Sequence, residues 1–459
     1  MSDKKSYLFC GIGGSGMLPL ALIMQGIGHG VRGSDRGYDQ GKTPEKFEYL
    51  KSQGIELFPQ DGSGVNDIDA LVISTAVEDS IPDVKAAKEQ DVSILKRADL
   101  LAQNFNQAEQ KIAVAGTSGK TTVTGMIGFI LHELRQQPTV MNGGVFKNFK
   151  KDNPYCSALV GDGGVFVTEA DESDGSIALY NPDIAILNNI ALDHKSLEEL
   201  NVLFSDYLTK AKTAILNADH DGVMALKGKA KNVITYSIHG KADLYTKDIS
   251  LKSNASSFFL HYQDKVQRVH LNVSGEHNVS NALATIAACL ALGLDFSDIC
   301  DAIPRFEGIW RRMDMVGTKN DITVIDDFAH NPDKIAASLK ALKQFDGRLL
   351  IFFQPHGYGF LKLVHAELAQ TFIDYLDQDD QLYMVQPFYA GGTVDRTIDS
   401  SHVIDAIKSS NIKADLLDSR EEIKKHILSE AKPSDRIVIM GARDDTLAEF
   451  ALEIYDALP

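Results

Sequence analysis

Cysteine is scarce and unpaired in this sequence: Cys10, Cys156, Cys289 and Cys300 stand far apart in mostly apolar surroundings, with no C-x-x-C pair. That excludes a cysteine metal site or redox couple and leaves four reduced thiols, in the core or near the surface. Positive charge is scarce as well. Against 46 Lys and Arg stand 63 Asp and Glu, a formal net charge of -17. Nucleic acids and anionic membranes need a basic surface that displaces counterions, so neither is an expected partner. A phosphate-bearing ligand must then be met by local groups. Long apolar runs are missing too: residues 1–5 are polar, and the stretch after them is broken by glycines well short of the ~20 residues that span a bilayer. The expected location is the cytoplasm. Low-complexity tracts, repeats and disordered linkers are absent, and 459 residues suffice for about three domains with their own cores.

Residues 6–107 alternate short apolar runs (7–10, near Val31, 70–74, 92–95) with amphipathic stretches, a βα alternation. A run at 112–115 opens a second α/β block, with buried-strand patterns at 165–167, 184–187 and 214–216. Residues 243–273 change to an antiparallel-ribbon pattern before a helical stretch at 277–292, and a third α/β block begins near Ile322. The boundaries fall near residues 107 and 315, giving domains 1–107, 108–314 and 315–459.

The strongest motif is Gly116-Thr117-Ser118-Gly119-Lys120-Thr121-Thr122, between the strand pattern 112–115 and the helical run 123–134. Such a loop aims backbone N–H groups and a helix N-terminus at phosphate oxygens, while a lysine neutralises charge and a hydroxyl reaches Mg²⁺. Its spacing is shorter than the full P-loop signature, and alone it also fits a tight strand-to-helix turn. Glu169-Ala170-Asp171-Glu172-Ser173-Asp174 and Asn188-Asn189-Ile190-Ala191-Leu192-Asp193-His194 follow strands expected to be neighbours. Carboxylates at strand ends can hold hard cations against phosphate; alone, the acidic run also reads as a solvated loop and His194 as a structural histidine. Gly275-Glu276-His277-Asn278 and Arg311-Arg312 offer amide and guanidinium groups for purine and phosphate contacts; alone, they also read as a helix cap and a surface pair.

Taken together, and along essentially the whole chain, these segments resemble the Mur ligase family, nearest to the branch that adds L-alanine to UDP-N-acetylmuramate. The resemblance also rests on Gly11-Ile12-Gly13-Gly14-Ser15-Gly16-Met17, Gly33-Ser34-Asp35, Arg97-Ala98-Asp99, Asn142-Gly143-Gly144, Asp326-Asp327-Phe328-Ala329-His330 and Phe353-Gln354-Pro355-His356. It implies a three-domain α/β architecture: an N-terminal Rossmann-like UDP-sugar domain, a central P-loop ATPase-like domain and a C-terminal Rossmann-like domain that closes over the nucleotide. It implies an ATP- and Mg²⁺-dependent ligase of peptidoglycan synthesis that activates the acid as an acyl phosphate, acting as a monomer or homodimer. Carried over by position, the resemblance assigns ATP to Gly116, Thr117, Ser118, Gly119, Lys120, Thr121, Thr122, Asn278, Arg312 and Asp327, and Mg²⁺ to Thr121, Glu169 and His194. The UDP-sugar falls to Gly13, Gly14, Ser15, Gly16, Met17, Ser34, Asp35 and Ser74. His330 and His356 fall on the acceptor side, and Lys120, Glu169, His194 and His330 carry the chemistry.

The chain departs from that family at Gly357 and Phe360, where the alanine-adding members carry arginines near the incoming carboxylate. The acceptor is therefore L-alanine or a variant amine, with Arg443 a candidate replacement charge. Ala211 stands at the position of the lysine that several Mur ligases carbamylate, four residues after Tyr207; Lys210 and Lys212 beside it are turned away by about 100 degrees on a helix. Three alternatives stay open: a peptide-adding recycling ligase, a non-catalytic UDP-sugar and ATP sensor, and a dehydrogenase using the Gly11–Gly16 loop with Asp35.

Overall fold

The computed structural model describes residues 4–75, 77–191, 195–252, 254–388, 396–442, 444 and 446–459. Two compact units form: residues 1–250, 256–272 and 278–308 in the first, and residues 251–255, 273–277 and 309–459 in the second.

In the first unit, the run ending at Cys10 becomes the middle strand, Ser6–Cys10, of a five-stranded parallel sheet. Its order is Glu56–Phe58, Gly30–Ser34, Ser6–Cys10, Ala70–Ile73, Ser93–Lys96. Leu8, Phe9, Leu71 and Val72 are fully buried: both faces are covered, so these strands read as continuous apolar runs rather than alternating ones. The strand order reverses beside Ser6–Cys10, and beyond its carboxyl end lies the glycine loop, the position where open α/β sheets take ligands.

The second sheet has ten strands, with Gln110–Ala115 between Ile184–Leu187 and Val165–Glu169, all three parallel. This corrects the expectation that the strands ending near 167 and 187 are direct neighbours. After Gln110–Ala115 the chain moves outward to Thr139–Met141, returns to pair Val165–Glu169 with it, then crosses to its other side. Order along the chain is not order across the sheet, yet parallel pairing still brings all three carboxyl ends to one edge. Farther out, Ala255–Tyr262 and Lys265–Leu271 form the expected antiparallel ribbon. Helix Leu197–Thr209 begins with a reciprocal capping box between Ser196 and Glu199, and its Tyr207 donates to the Ala113 carbonyl at 2.6 Å, fixing the helix against the central strand. All four cysteines are buried and free. Among the described residues, no helix is long and apolar enough to cross a membrane.

The second unit carries a six-stranded sheet ordered Asp314–Lys319, Ile322–Asp327, Arg436–Gly441, Leu349–Gln354, Gln381–Met384, Lys413–Leu416. Only the first pair is antiparallel. The sheet thus begins one strand ahead of Ile322, because the mixed sequence of Asp314–Lys319 does not read as a buried run. Arg311 is buried beneath the strand ends: it donates to Asp326 at 3.2 Å, to the Asp444 carbonyl at 3.0 Å and to the Gly441 carbonyl at 2.9 Å. One guanidinium fork thereby ties the end of Ile322–Asp327 to the turn after Arg436–Gly441. Replacing Arg311 by Met strands a carboxylate that is 1% exposed, at a cost of about 3–5 kcal/mol. The urea midpoint of R311M is expected to fall clearly below wild type; an unchanged midpoint would show that Asp326 does not need this partner.

Candidate active site

The glycine loop of the first sheet is held from within. Gly11 and Ile12 donate to the Ser34 carbonyl at 2.7 and 3.1 Å. Asp35 accepts from Gly13 N at 2.9 Å through one oxygen and from Gly37 N at 2.7 Å through the other. A Cβ on Gly13 would come 3.1 Å from that carboxylate, so the glycine permits the close approach. Ser34 is fully buried and its hydroxyl donates to Asp83 at 2.5 Å; burial pushes the Asp83 carboxyl up. The loop is thus gathered around Asp35, with Gly14 and Ser15 exposed and Met17 starting helix Met17–Gly26. Ser74 follows strand Ala70–Ile73 of the same sheet.

The phosphate loop connects strand Gln110–Ala115 to helix Lys120–Glu133. Gly116 and Gly119 have φ of 129° and 84°, conformations that side chains resist. Room is equally limiting: a Cβ on Gly119 would lie 2.7 Å from Asn281 Oδ1 and 2.9 Å from Asn188 Nδ2. Asn189 clasps the loop from the neighbouring strand end. Its Oδ1 accepts from Thr117 Oγ1 at 2.8 Å and Ser118 N at 2.9 Å, and its Nδ2 donates to Ser118 Oγ at 3.0 Å. The helix has no side-chain cap, so its first-turn N–H groups and macrodipole are directed at whatever enters the loop. Asn278 lies on helix Glu276–Ala291, where its Oδ1 accepts from Asn281 at 3.3 Å, which links it to Gly119. Asn188 Nδ2 is buried with no hydrogen-bond partner among the described residues. A buried orphan donor beside a glycine cradle fits a nucleotide phosphate.

Lys120 and the acidic segment meet directly. Lys120 Nζ donates to the Gly116 carbonyl at 2.7 Å and to Glu172 Oε2 at 2.8 Å. Burial alone would lower its pKa, but Glu172, Asp171 and Glu169 hold it above its ordinary value; burial in turn pushes the Glu172 carboxyl up against the pull of Lys120. Thr121 Oγ1 donates to Glu169 Oε2 at 3.1 Å, and Gly143 N donates to Glu169 Oε1 at 2.6 Å. Thr121 and Glu169 therefore stand together, as the sequence led us to expect; His194 lies outside the described residues. Hydroxyl and carboxylate are hard oxygen donors that suit Mg²⁺, although among the described residues no cluster of three or more His, Cys, Asp or Glu forms a complete cage. Thr122 occupies the same first turn. Ala211 is buried, while Lys210 pairs with Asp206 at 2.7 Å and Lys212 with Asp183 at 2.8 Å. Glu172, Asn188, Asn189 and Asn281 are contributors that residue-by-residue reading missed. The paired asparagines directly after a buried strand were the available signal.

Within the second unit, Asp327 accepts from Met313 N at 3.1 Å and from the Ser338 hydroxyl, and Arg312 lies 4.4 Å over the Phe328 ring. His330 and His356, at the ends of two strands separated by Arg436–Gly441, bring their rings edge to face at 5.1 Å, with Phe360 4.2 Å from His356. Burial, then Lys334, pushes His330 down to about 3, so it is a neutral ring at pH 7. Among the described residues, nothing lies within 4 Å of a Cβ built on Gly357 or Gly359. Arg396, which sequence reading passed over, sits 5.6 Å above the ring of Tyr358; Arg443 lies outside the described residues.

Residues 6–109, 114–289 and 311–443 match, in turn, the Mur ligase family catalytic domain, the Mur ligase middle domain and the Mur ligase glutamate ligase domain. The chain is 33% identical over 448 residues to the UDP-N-acetylmuramate–L-alanine ligase of Endomicrobium trichonymphae, covering 95% of each chain. The structure superimposes on the UDP-N-acetylmuramate–alanine ligase of Thermotoga maritima with a TM-score of 0.78, at 25% identity and 98% coverage of both chains. On a murein peptide ligase from Psychrobacter arcticus the TM-score is 0.72, at 26% identity, covering 99% of this chain and 98% of that one. A relative this similar across nearly the whole of both chains, together with three matching domains in order, settles the lineage: the chain belongs to the Mur ligase family.

Proposed function

We propose that this chain is an ATP-dependent ligase that joins the carboxylate of UDP-N-acetylmuramate to L-alanine in peptidoglycan synthesis. The observation that carries the reading is the convergence of Lys120, an uncapped helix N-terminus and the Thr121–Glu169 pair at one sheet edge, in a chain related along its whole length to such ligases. A carboxylate is inert toward amines, so it must be activated. Its oxygen bonds to the γ-phosphorus while the β–γ bridging bond breaks and ADP leaves. The amine nitrogen then bonds to the acyl carbon, phosphate departs with the C–O electron pair, and the proton lost from nitrogen passes to the departing phosphate or to water. Two anions must approach for the first step. Lys120, the backbone of residues 116–122 and the helix dipole offset that repulsion at the transferring group. Thr121 and Glu169, with His194, would hold Mg²⁺, which neutralises phosphate charge when bound.

In this reading residues 1–107 serve the UDP-sugar through Gly13, Gly14, Ser15, Gly16, Met17, Ser34, Asp35 and Ser74. Residues 108–314 serve ATP, with Asn278, Arg312 and Asp327 as further nucleotide contacts, and residues 315–459 serve the amine through His330 and His356. The cytoplasm is the compartment that supplies ATP. A second reading, a peptide amine in place of L-alanine, is favoured by the space that the described residues leave open at Gly357 and Gly359. It also fits the likeness to a murein peptide ligase.

Phosphate release from MgATP is expected only with UDP-N-acetylmuramate and an amine both present. L-Alanine should give the highest rate among single amino acids, while faster release with an L-alanyl peptide would select the second reading. The Lys120→Ala variant should lose roughly 10²–10³-fold in kcat, as removal of a charge-stabilising donor does elsewhere; a rate within twofold of wild type would remove Lys120 from the chemistry. Because His330 sits at about 3, its neutral form persists from pH 5 to 8. His330→Asn should therefore change the rate without moving the acid limb of the pH–kcat profile, and a displaced limb would mean that this ring does titrate during turnover.

A further inference from the structure

Strands Leu349–Gln354 and Gln381–Met384 pair in parallel, so the turns at their carboxyl ends lie side by side. The first turn, residues 354–360, carries the rings of His356 and Phe360 but no lysine or arginine. It runs into helix Tyr358–Tyr375, eighteen residues long, whose N-cap is Gly357. A glycine has no side-chain acceptor for the first-turn N–H groups, so the cap residue does nothing to offset the positive end of the helix. The chain beyond the second strand is fastened to this turn and to its own strand end. Phe388 N donates to the Pro355 carbonyl at 2.8 Å. Ser400 is fully buried and its hydroxyl donates to the Val385 carbonyl at 2.7 Å, and Asp399 accepts from Ser401 N at 3.0 Å where helix Ser400–Lys408 begins. Between these anchors stands Arg396, exposed, with its guanidinium 5.6 Å above the ring of Tyr358, the first residue of the longer helix. A cation at a helix N-terminus is unfavourable on its own, and an anion that meets both relieves the conflict.

The neighbouring cations have other geometry. Arg420 reaches Asp444 and Gln354, and Arg312 lies over the Phe328 ring. Lys334, on the first turn of helix Pro332–Leu342, is the rival, because His330 feels its charge. An ammonium is a point charge, however, whereas a guanidinium presents a planar fork that matches a carboxylate. Resting on the reading above, in which this unit serves the amine, we propose that Arg396 binds the α-carboxylate of the incoming nucleophile, which makes the acceptor a free α-amino acid. Stacking engages the face of a guanidinium and carboxylate recognition its edge, so one residue serves both. The amine of an α-amino acid is one carbon from its carboxylate, so holding the carboxylate orients the attacking nitrogen. A peptide amine has a neutral amide at that place and gains nothing from the fork.

The test is phosphate release from saturating MgATP and UDP-N-acetylmuramate while L-alanine or L-alaninamide is varied, for wild type, Arg396→Met, Arg396→Lys and Lys334→Met. Wild type should prefer L-alanine in kcat/KM by about 10–100-fold, the span that hydrogen bonds to a charged group supply. Arg396→Met should lose that preference through a higher KM for L-alanine, with the KM values of MgATP and UDP-sugar unmoved. Arg396→Lys, which keeps the charge without the fork, should retain part of the preference, and it provides the readout if the methionine variant folds poorly. Lys334→Met should keep the preference. Equal use of the two amines by wild type, an undiminished preference in both Arg396 variants, or its collapse in Lys334→Met alone overturns the assignment of Arg396 and leaves the ligase reading intact. Absence of phosphate release by wild type with either amine overturns both.

Discussion

The space around Gly119 is the constraint on which the central site depends. Two asparagine side chains, Asn281 and Asn188, occupy the volume that any Cβ there would need, and the backbone φ of 84° disfavours a side chain independently. At that position the loop must therefore run without a side chain. Asn189 holds Thr117 and Ser118 from the next strand end, so the curvature of the loop is set by the sheet and not by the loop alone. The sheet fixes the loop, the loop fixes the start of helix Lys120–Glu133, and that start places Lys120 and Thr121 over the carboxylates of the next strand. Each step follows from parallel pairing, which sends Gln110–Ala115, Val165–Glu169 and Ile184–Leu187 to the same edge.

The legible parts of the fold were those where burial on both faces produces an unbroken apolar run. Strands Ile184–Leu187, Leu349–Gln354 and Arg436–Gly441 are buried at every position and stand out in the sequence. Strands such as Thr139–Met141, Ala158–Leu159 and Asp314–Lys319 are short, or mix polar with apolar residues, and left no such trace. Sheet order was invisible for a different reason. Sequence periodicity reports the surroundings of a strand but not the identity of its neighbour, so the place of Gln110–Ala115 between Val165–Glu169 and Ile184–Leu187 could not be read from it. At the candidate site, the meeting of Lys120, Thr121 and Glu169 at one sheet edge was legible because the glycine-lysine-threonine loop and the acidic run each follow a buried strand. Glu172, Asn188 and Asn189 were not, because an acidic run or an asparagine pair has many uses, and only its position relative to the loop distinguishes them.

The second unit applies the same principle with less symmetry. His330 and His356 end two strands that are not adjacent, with Arg436–Gly441 between them, and their rings still meet because parallel strands deliver their carboxyl ends to one side. Their support is buried charge: Arg311 spans Asp326 and two carbonyls, while Arg420 reaches Asp444 and, at 2.7 Å, Gln354 Oε1. These arginines act on the strand-end turns through fixed geometry rather than by presenting charge to solvent. An apolar replacement could fill the same volume, but it could not satisfy carbonyls that point in diverging directions.

A chain with a net charge of -17 that receives highly charged anions has to arrange its cations with care. Exposed lysines around the sites would be screened and would draw in anions without discrimination. Here the key cation is partly hidden and already paired: Lys120 holds Glu172 and the Gly116 carbonyl. Such pairing keeps the ammonium charged despite burial, which would otherwise favour its neutral form. It also holds Lys120 against the loop, so in the proposed role little reorganisation is needed. The cost is that phosphate must compete with a carboxylate, and that competition favours a ligand bearing several charges and contacting several N–H groups over a simple anion. In the proposed reading, the internal ion pair and the loop backbone together favour a polyphosphate over a simple anion.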